Sequence, residues 1–93
     1  MRKLYKFSAD FGRMGWISSI FTAEEEDINK TVGKEIYFGE VLGKHSEIVL
    51  ILKQSHIEEI SSNQDFIKTF DLLGCSTGMN PIHYVNEEVE EAS

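Results

Sequence analysis

The sequence predicts an α+β protein with a mainly antiparallel sheet and helices on one face. Segments in which apolar residues alternate with polar ones, or run continuously, indicate strands. Between them lie segments with helix-capping residues at the start and glycine at the end. Short glycine-containing turns join neighbouring strands, which favours antiparallel pairing. The predicted order of elements is β-β-α-β-β-α-β.

The first two predicted strands form a hairpin. From residue 3 to residue 11 apolar and polar residues alternate, as in a half-buried strand. The letters GRMG at 12–15 indicate a turn. WISSIFTA at 16–23 then continues as a second strand of β-branched and aromatic residues.

A short helix is predicted over residues 23–32. Thr22 and Glu25 have the spacing of a capping box, in which each side chain accepts a hydrogen bond from the backbone of the other. Four acidic residues at 24–27 fill the first turn, where the helix dipole favours negative charge. Gly33 is placed to end the helix.

A second pair of strands is expected at 35–42 and 47–53, joined by a turn at 43–46. The letters IVLIL at 48–52 are apolar on both faces, so this strand is expected in the interior of the sheet, covered on one face and at least partly on the other. Glu40 shares its predicted face with the apolar side chains around it. Because a buried charge needs a partner, Arg13 or Lys44 is expected beside Glu40.

The second half of the chain predicts one more helix and a final strand. Ser55 and Glu58 repeat the capping spacing and predict a helical turn. Asn63 or Ser62 is expected to cap a helix that ends at Gly74. The stripe expected to be buried on this helix is Phe66, Phe70 and Leu73.

The end of the chain contains turn residues, an expected edge strand and an acidic tail. CSTGMNP at 75–81 has turn composition, and IHYV at 82–85 predicts the edge strand. We therefore expect one α+β domain at 1–86. Residues 87–93 are expected to be a flexible acidic tail.

Size and charge restrict the class of protein. Ninety-three residues form a thin core, and oligomerisation often assists such a domain, so a homo-oligomer is expected. The net charge of −7 excludes a non-specific nucleic-acid binder, which needs a cationic face. Four of the nine basic residues lie within the first thirteen positions, which leaves room for a locally positive face.

The expected location is the cytoplasm. A single cysteine, Cys75, excludes an internal disulfide and fits a reducing compartment. The first residues lack the apolar core of a signal peptide, and no stretch reaches the ~18 apolar residues of a membrane span. No membrane contact is expected.

Metal and catalytic motifs are weak. The letters HSE at 45–47 fit the H-x-E of zinc deaminases, but the cysteine pair that completes this signature is missing. No metal or cofactor is therefore expected. A small hydrolase that uses His45, Ser46 or Cys75 stays an alternative, although neighbouring strand residues point to opposite faces.

The residues expected to form a binding surface lie in two turns and in a third polar segment. Arginine, methionine and tryptophan near the first turn are types enriched at interfaces. The second turn joins a cation, an imidazole, a hydroxyl and a carboxylate. Backbone amides around 76–77 could approach an anion. The candidates are Arg13, Met14, Trp16, Glu40, Lys44, His45, Ser46, Glu47, Ser76 and Thr77.

Each candidate also has a purely structural interpretation. Trp16 could cap the core beside the hairpin. The turn at 43–46 could be polar only because it is exposed. The segment at 75–81 could do no more than lead the chain back toward its last strand, and this is the favoured interpretation.

The segment GKEIYFGEVLGKHSEI at 33–48 resembles small uncharacterised proteins of tailed bacteriophages, and the resemblance extends over residues 11–53. It implies no activity and no catalytic residues. It implies a context of compact acidic proteins that bind a host factor, some of which sequester nucleotide signals of host immunity.

The leading hypothesis is a non-catalytic binding protein that acts by occupying a host protein. One alternative is a sponge for a small anionic or nucleotide ligand, held by Arg13, Lys44 and the amides near Thr77. The hydrolase is the second alternative.

Overall fold

The computed structural model describes residues 1–40 and 47–85. Within these ranges it contains five strands in antiparallel pairs and two helices, which confirms the predicted α+β class. The strands are β1 Arg2–Asp10, β2 Trp16–Glu24, β3 Glu35–Gly39, β4 Ile48–Ile51 and β5 Ile57–Ser61. The helices are α1 Glu25–Thr31 and α2 Gln64–Leu73, and short 3-10 helices cover Gly12–Met14, Gln54–His56 and Pro81–Tyr84. The expected tail at 87–93 lies outside the described residues.

The main sheet has the strand order β2-β1-β5. The hairpin β1–β2 pairs Leu4 with Thr22 and Asp10 with Trp16, and the turn is closed by the Phe11 N–H, which donates to the Gly15 carbonyl at 2.8 Å. Alternate residues of β1 and β2 therefore share a face. The face that carries Phe7 is buried in the hydrophobic core.

A second sheet of two strands, β3 and β4, packs on that core. Tyr37 pairs with Val49, and the register shifts before Gly39. The rings of Phe38 and Phe7 lie 5.8 Å apart and join the two sheets. The buried cluster is Tyr5, Phe7, Ala9, Ile17, Phe21, Ala23, Ile28, Ile36, Phe38, Ile48, Leu52 and Ile57.

The expectation that the strand at 48–52 lies in the interior of the sheet is wrong for the described chain. β4 is at the edge of its sheet, and Val49 and Ile51 are 43% and 50% exposed. A two-stranded sheet that packs by one face buries only every second residue. Ile48 and Leu52 are fully buried, while the residues between them are at least partly exposed.

The helical turn predicted from Ser55 and Glu58 is replaced by one 3-10 turn and then β5. The cap comes instead from His56, whose Nδ1 accepts a hydrogen bond from the Lys53 N–H at 3.0 Å. β5 then adds to the open edge of β1 and places Ile57 opposite Phe7. The pairing with β1 gives hydrogen-bond partners to backbone N–H and C=O groups that a helix would have bonded to each other.

The edge strand predicted at 82–85 is also wrong. Pro81–Tyr84 forms a 3-10 helix, with the Asn80 side chain accepting from the Ile82 N–H at 3.0 Å. Proline suits the first position of a helix because it has no N–H to leave unpaired. Val85 alone makes a bridge, which is to Ile36 of β3.

α1 begins later than predicted and without the capping box. Its N-cap is Glu24, and no side chain bonds there. Thr22 remains in β2, where its hydroxyl bonds the side chains of Arg2 and Asp71. Gly33 follows the helix end with φ +95°.

α2 has the predicted caps and an unpredicted buried face. Asn63 Oδ1 accepts from the Phe66 N–H at 3.0 Å, and Gly74 ends the helix in the left-handed region. Both are confirmed. The buried residue is Ile67, however, while Phe66 is 50% exposed and Leu73 is exposed, so the predicted stripe is wrong.

The two helices lie on opposite faces of the main sheet. Ile28 of α1 belongs to the core cluster with Phe7. Asp71 of α2 bonds Arg2 and Thr22, whose side chains project from the other face. The α+β class holds, but the helices are divided between two faces. Neither helix has the length and apolar composition needed to cross a bilayer.

Candidate functional site

Among residues 1–40 and 47–85, one half of the outer face of the main sheet is left uncovered. α2 covers the half around Leu4. The other half borders a cavity of about 440 Å³. The outer face of β1 supplies its floor. The lining residues are Lys6, Ser8, Ala9, Asp10, Gly12, Gly15 and Trp16. We call this cavity the Trp16 groove.

Trp16 lies at one end of the Trp16 groove and is 65% exposed. The side chain alternates with buried Ile17, so the strand pleat directs the indole away from the core. The turn before it is fixed by the Gly12 N–H, which donates to Asp10 Oδ1 at 2.8 Å. The interpretation that Trp16 caps the core is therefore not what the structure shows.

The floor of the Trp16 groove is polar and small. Ser8 pairs with Ser18 across the hairpin, and both are exposed. Lys6 pairs with Ile20 on one side and Glu58 on the other. A serine floor leaves room for another chain to approach, while Lys6 and Asp10 supply one charge of each sign.

Arg13 and Met14 lie in the 3-10 turn next to the Trp16 groove. Arg13 is exposed. The Met14 side chain is outside the description, as are Lys44, His45 and Ser46. That Lys44, His45 and Ser46 lie beside Arg13 in one surface patch stays a prediction.

The two acidic candidates near the second turn are both exposed. Glu40 follows the register shift at Gly39 and is exposed, so the expected burial of its charge is wrong. Glu47 accepts a hydrogen bond from the Tyr37 hydroxyl, and this bond raises the pKa of Tyr37. Glu47 thus lies on the exposed face of β3 and β4 rather than beside Trp16.

Ser76 and Thr77 line a different cavity, of about 410 Å³, which shares no lining residue with the Trp16 groove. The Thr77 N–H donates to the Ile20 carbonyl at 2.9 Å, and the Thr77 carbonyl accepts from the Ile20 N–H at 3.0 Å. The Thr77 amide is therefore occupied by β2. The segment pairs with the edge of β2, a contact that neither the anion-binding interpretation nor the structural one predicted.

Sequence reasoning missed a network that borders this second cavity. The Arg2 guanidinium donates to Asp71 Oδ2 and to Thr22 Oγ1, each at 2.7 Å, and Thr22 Oγ1 donates to Asp71. The bond from Arg2 holds the pKa of Asp71 below its usual range, and the Thr22 bond adds to this. Asp27 contributes another carboxylate to the lining. The cavity does not offer an unpaired arginine to a phosphate.

Lys3 is a further cation engaged in ion pairs. Its Nζ lies 2.6 Å from Glu25 and 2.8 Å from Glu59, and these bonds raise the pKa of Lys3 and lower that of Glu25. Arg2 and Lys3 are two of the four basic residues in the first thirteen positions. Because carboxylates neutralise both of these charges, the locally positive face expected from the four residues is reduced.

The backbone of Cys75 completes the C-terminal end of α2. The Cys75 N–H donates to the Phe70 carbonyl at 3.2 Å, and the Gly74 N–H donates to the Asp71 carbonyl at 3.1 Å, which together form a Schellman motif. Cys75 is exposed, not packed. Among the described residues no group of three histidine, cysteine or acidic side chains could hold a metal ion.

Comparison with protein families, with curated proteins and with solved structures finds no match to this chain. The resemblance to tailed-bacteriophage proteins therefore stays a prediction. The features of the chain that bear on function are the geometry of the Trp16 groove and the charges around it.

Proposed function

We propose that this chain is a non-catalytic binding protein that holds a partner protein in the Trp16 groove. The observation that carries the proposal is the position of Trp16, 65% exposed beside a cavity of about 440 Å³. An indole is the side chain that most often dominates a protein interface, because it buries a large apolar area with few rotatable bonds.

The character of the Trp16 groove favours a protein over a small anion. Lys6 is accompanied by Asp10 in the lining and by Glu58 opposite it on β5, so the local charge is mixed. A phosphate would need several convergent donors. An apolar side chain of a partner could instead pack on Trp16, while polar groups of its backbone bond to Ser8.

Charge would act mainly on the rate of association. The net charge is −7, and the acidic cluster Glu24–Asp27 lies at the far end of β2 from Trp16. Eight residues of strand separate them by about 27 Å, more than three Debye lengths at physiological salt. At that distance salt screens the cluster, so it would add little to affinity at the groove. The negative charge of the whole chain would instead favour encounter with a basic partner. The bacteriophage resemblance makes the proposed partner a host protein.

The test compares Trp16→Ala with Leu72→Ser in a pull-down from host lysate, with bound proteins and small molecules both identified. Leu72 is the matched control, because it is an apolar side chain that is 83% exposed on α2. Ser8→Arg, which fills the floor of the Trp16 groove, is a second variant. Any captured protein is then purified and its affinity for each variant is measured by calorimetry.

The expected result is one protein that the wild type and Leu72→Ser bind equally. Trp16→Ala should weaken that binding by about 30-fold or more, as for an interface hot spot. Ser8→Arg should weaken it as well. Equal affinity for all four proteins, or release of a nucleotide instead of capture of a protein, would refute the proposal.

A further inference from the structure

The outer edge of β4 has no partner strand in the described chain. The strand order of its sheet is β3-β4, and the outer edge of β3 is bridged by Val85 through Ile36. β4 therefore presents one row of backbone groups away from β3. Such an edge is a template for another strand.

The hydrogen bonds next to β4 show which backbone groups face outward. The Leu52 N–H donates to the Lys34 carbonyl at 3.0 Å, and the Leu52 carbonyl accepts from the Gly33 N–H at 2.7 Å. Leu52 therefore directs both groups toward the β3 side. Because these directions alternate along an antiparallel strand, Val49 and Ile51 direct their N–H and C=O groups to the open edge.

The side chains along this edge have a symmetric arrangement. Val49 and Ile51 lie on the exposed face, on either side of Leu50. The strand itself carries no charge. Glu47 precedes it and Lys53 follows it, both exposed and each three residues from Leu50.

We propose that two copies of this chain form a dimer by antiparallel pairing of their β4 edges about a two-fold axis at Leu50. Val49 then lies opposite Ile51 of the partner subunit, and the two-fold axis repeats this pair. In each of the two pairs, each residue donates its N–H to the carbonyl of the residue opposite. Glu47 lies opposite Lys53 of the partner subunit, twice in the dimer. The result is a continuous sheet with the order β3-β4-β4-β3.

Other registers lose these features. In a register shifted by one residue, residues whose N–H and C=O groups point outward lie opposite residues of the partner subunit whose groups point inward. The hydrogen bonds between the two strands then cannot form. An axis at Val49 places Glu47 opposite Ile51 of the partner subunit, which leaves each carboxylate beside an apolar side chain. An axis at Ile51 does the same with Lys53. The axis at Leu50 alone joins opposite charges.

The test uses the complete chain and reverses the two charges separately. In Glu47→Lys a lysine faces Lys53 of the partner subunit, and in Lys53→Glu a glutamate faces Glu47 of the partner subunit. A mixture of the two variants restores attraction at both pairs of a heterodimer. Sedimentation equilibrium at physiological salt, across a concentration series, measures each dissociation constant. Glu26→Lys is the control for the change in net charge, because Glu26 is an exposed residue on α1.

The wild type and Glu26→Lys should dimerise equally. Each charge reversal alone should raise the dissociation constant about tenfold, because two unfavourable cross-strand pairs replace two favourable ones. The equimolar mixture should return to the wild-type value. A wild-type protein that is monomeric at every concentration overturns the proposal. A dimer that neither reversal weakens, or a mixture no tighter than its components, overturns it too.

Discussion

Gly78 lies directly against Ser18 of β2. A Cβ atom on Gly78 would stand 2.6 Å from the Ser18 carbonyl oxygen and 2.7 Å from the Cβ of Ser19. Gly78 also has φ +72°, a conformation that other residues adopt at a cost. Its neighbour Thr77 is held to Ile20 by two backbone hydrogen bonds, so the segment cannot move away from β2 without breaking them.

Gly78→Ala should therefore destabilise the protein by about 2–4 kcal/mol, from backbone strain plus a steric clash. Gly74→Ala is the control, because Gly74 has φ +65° with no atom within 4 Å of the added Cβ. It should cost about 1 kcal/mol from strain alone. Urea unfolding measures both. Equal losses in the two variants would show that the contact with Ser18 does not matter.

Local signals in the sequence were sufficient for the elements that local chemistry decides. Asn63 and Gly74 limit α2 because one side chain and one backbone conformation satisfy the helix ends. β5 could not be predicted in the same way. Its hydrogen-bond partner, β1, lies about fifty residues earlier in the chain, and Ile57 and Ile60 fit a helical pattern as well as a strand.

The candidate site was only partly predictable for the same reason. In WISSIFTA, Trp16 and Ile17 are adjacent, so one must face outward, and both are apolar. The register that pairs Asp10 with Trp16 decides which one does. The network of Arg2 and Asp71 joins residues 69 positions apart and has no local signal.

α2 offers a test of which apolar residue anchors it. Ile67 is 2% exposed, whereas the neighbouring Phe66 is half exposed. Ile67→Ala should destabilise the protein by about 2–4 kcal/mol, because it removes buried methyl groups and leaves a cavity. Phe66→Ala is the control and should cost less than about 1 kcal/mol. If thermal unfolding shows the larger loss for Phe66→Ala, the described packing of α2 is incorrect.

Asp71 should make stability depend on acid pH. Its bond from Arg2 lowers the pKa below the ordinary value of 3.8, so the folded protein binds fewer protons there than the unfolded chain. The stabilisation is complete above that value and is lost as pH falls through the lowered pKa. Asp71→Asn should cost about 1 kcal/mol at neutral pH, since solvent screens this partly exposed pair.

Urea unfolding of Asp71→Asn and wild type between pH 7 and pH 3 tests this expectation. The difference between them should shrink as the pH approaches the acid end of the range. Glu40→Gln is the control, because Glu40 is exposed beyond β3. A constant difference at every pH would mean that Asp71 acts through packing rather than through its charge.

His56 should produce a second loss of stability, at weakly acidic pH. Burial lowers the pKa of His56 from 6.5, and the positive charge of Lys53 adds to the shift. Nδ1 accepts the Lys53 N–H, so it carries no proton in the folded protein, and the ring lies 6.2 Å from that of Phe7. The unfolded chain thus binds the proton more readily than the folded one, and stability falls as pH decreases from about 6.5 through the lowered pKa.

Urea unfolding between pH 7.5 and pH 5 should show this loss in the wild type and not in His56→Ala. His56→Ala is also less stable at pH 7.5, because it lacks the bond to the Lys53 N–H and the contact with Phe7. The two unfolding free energies should therefore approach each other as the pH falls. His83→Ala is the control for loss of an imidazole, because His83 is exposed on the last 3-10 helix, away from Lys53 and Phe7. A His56→Ala protein with an unchanged slope would place the titrating group elsewhere.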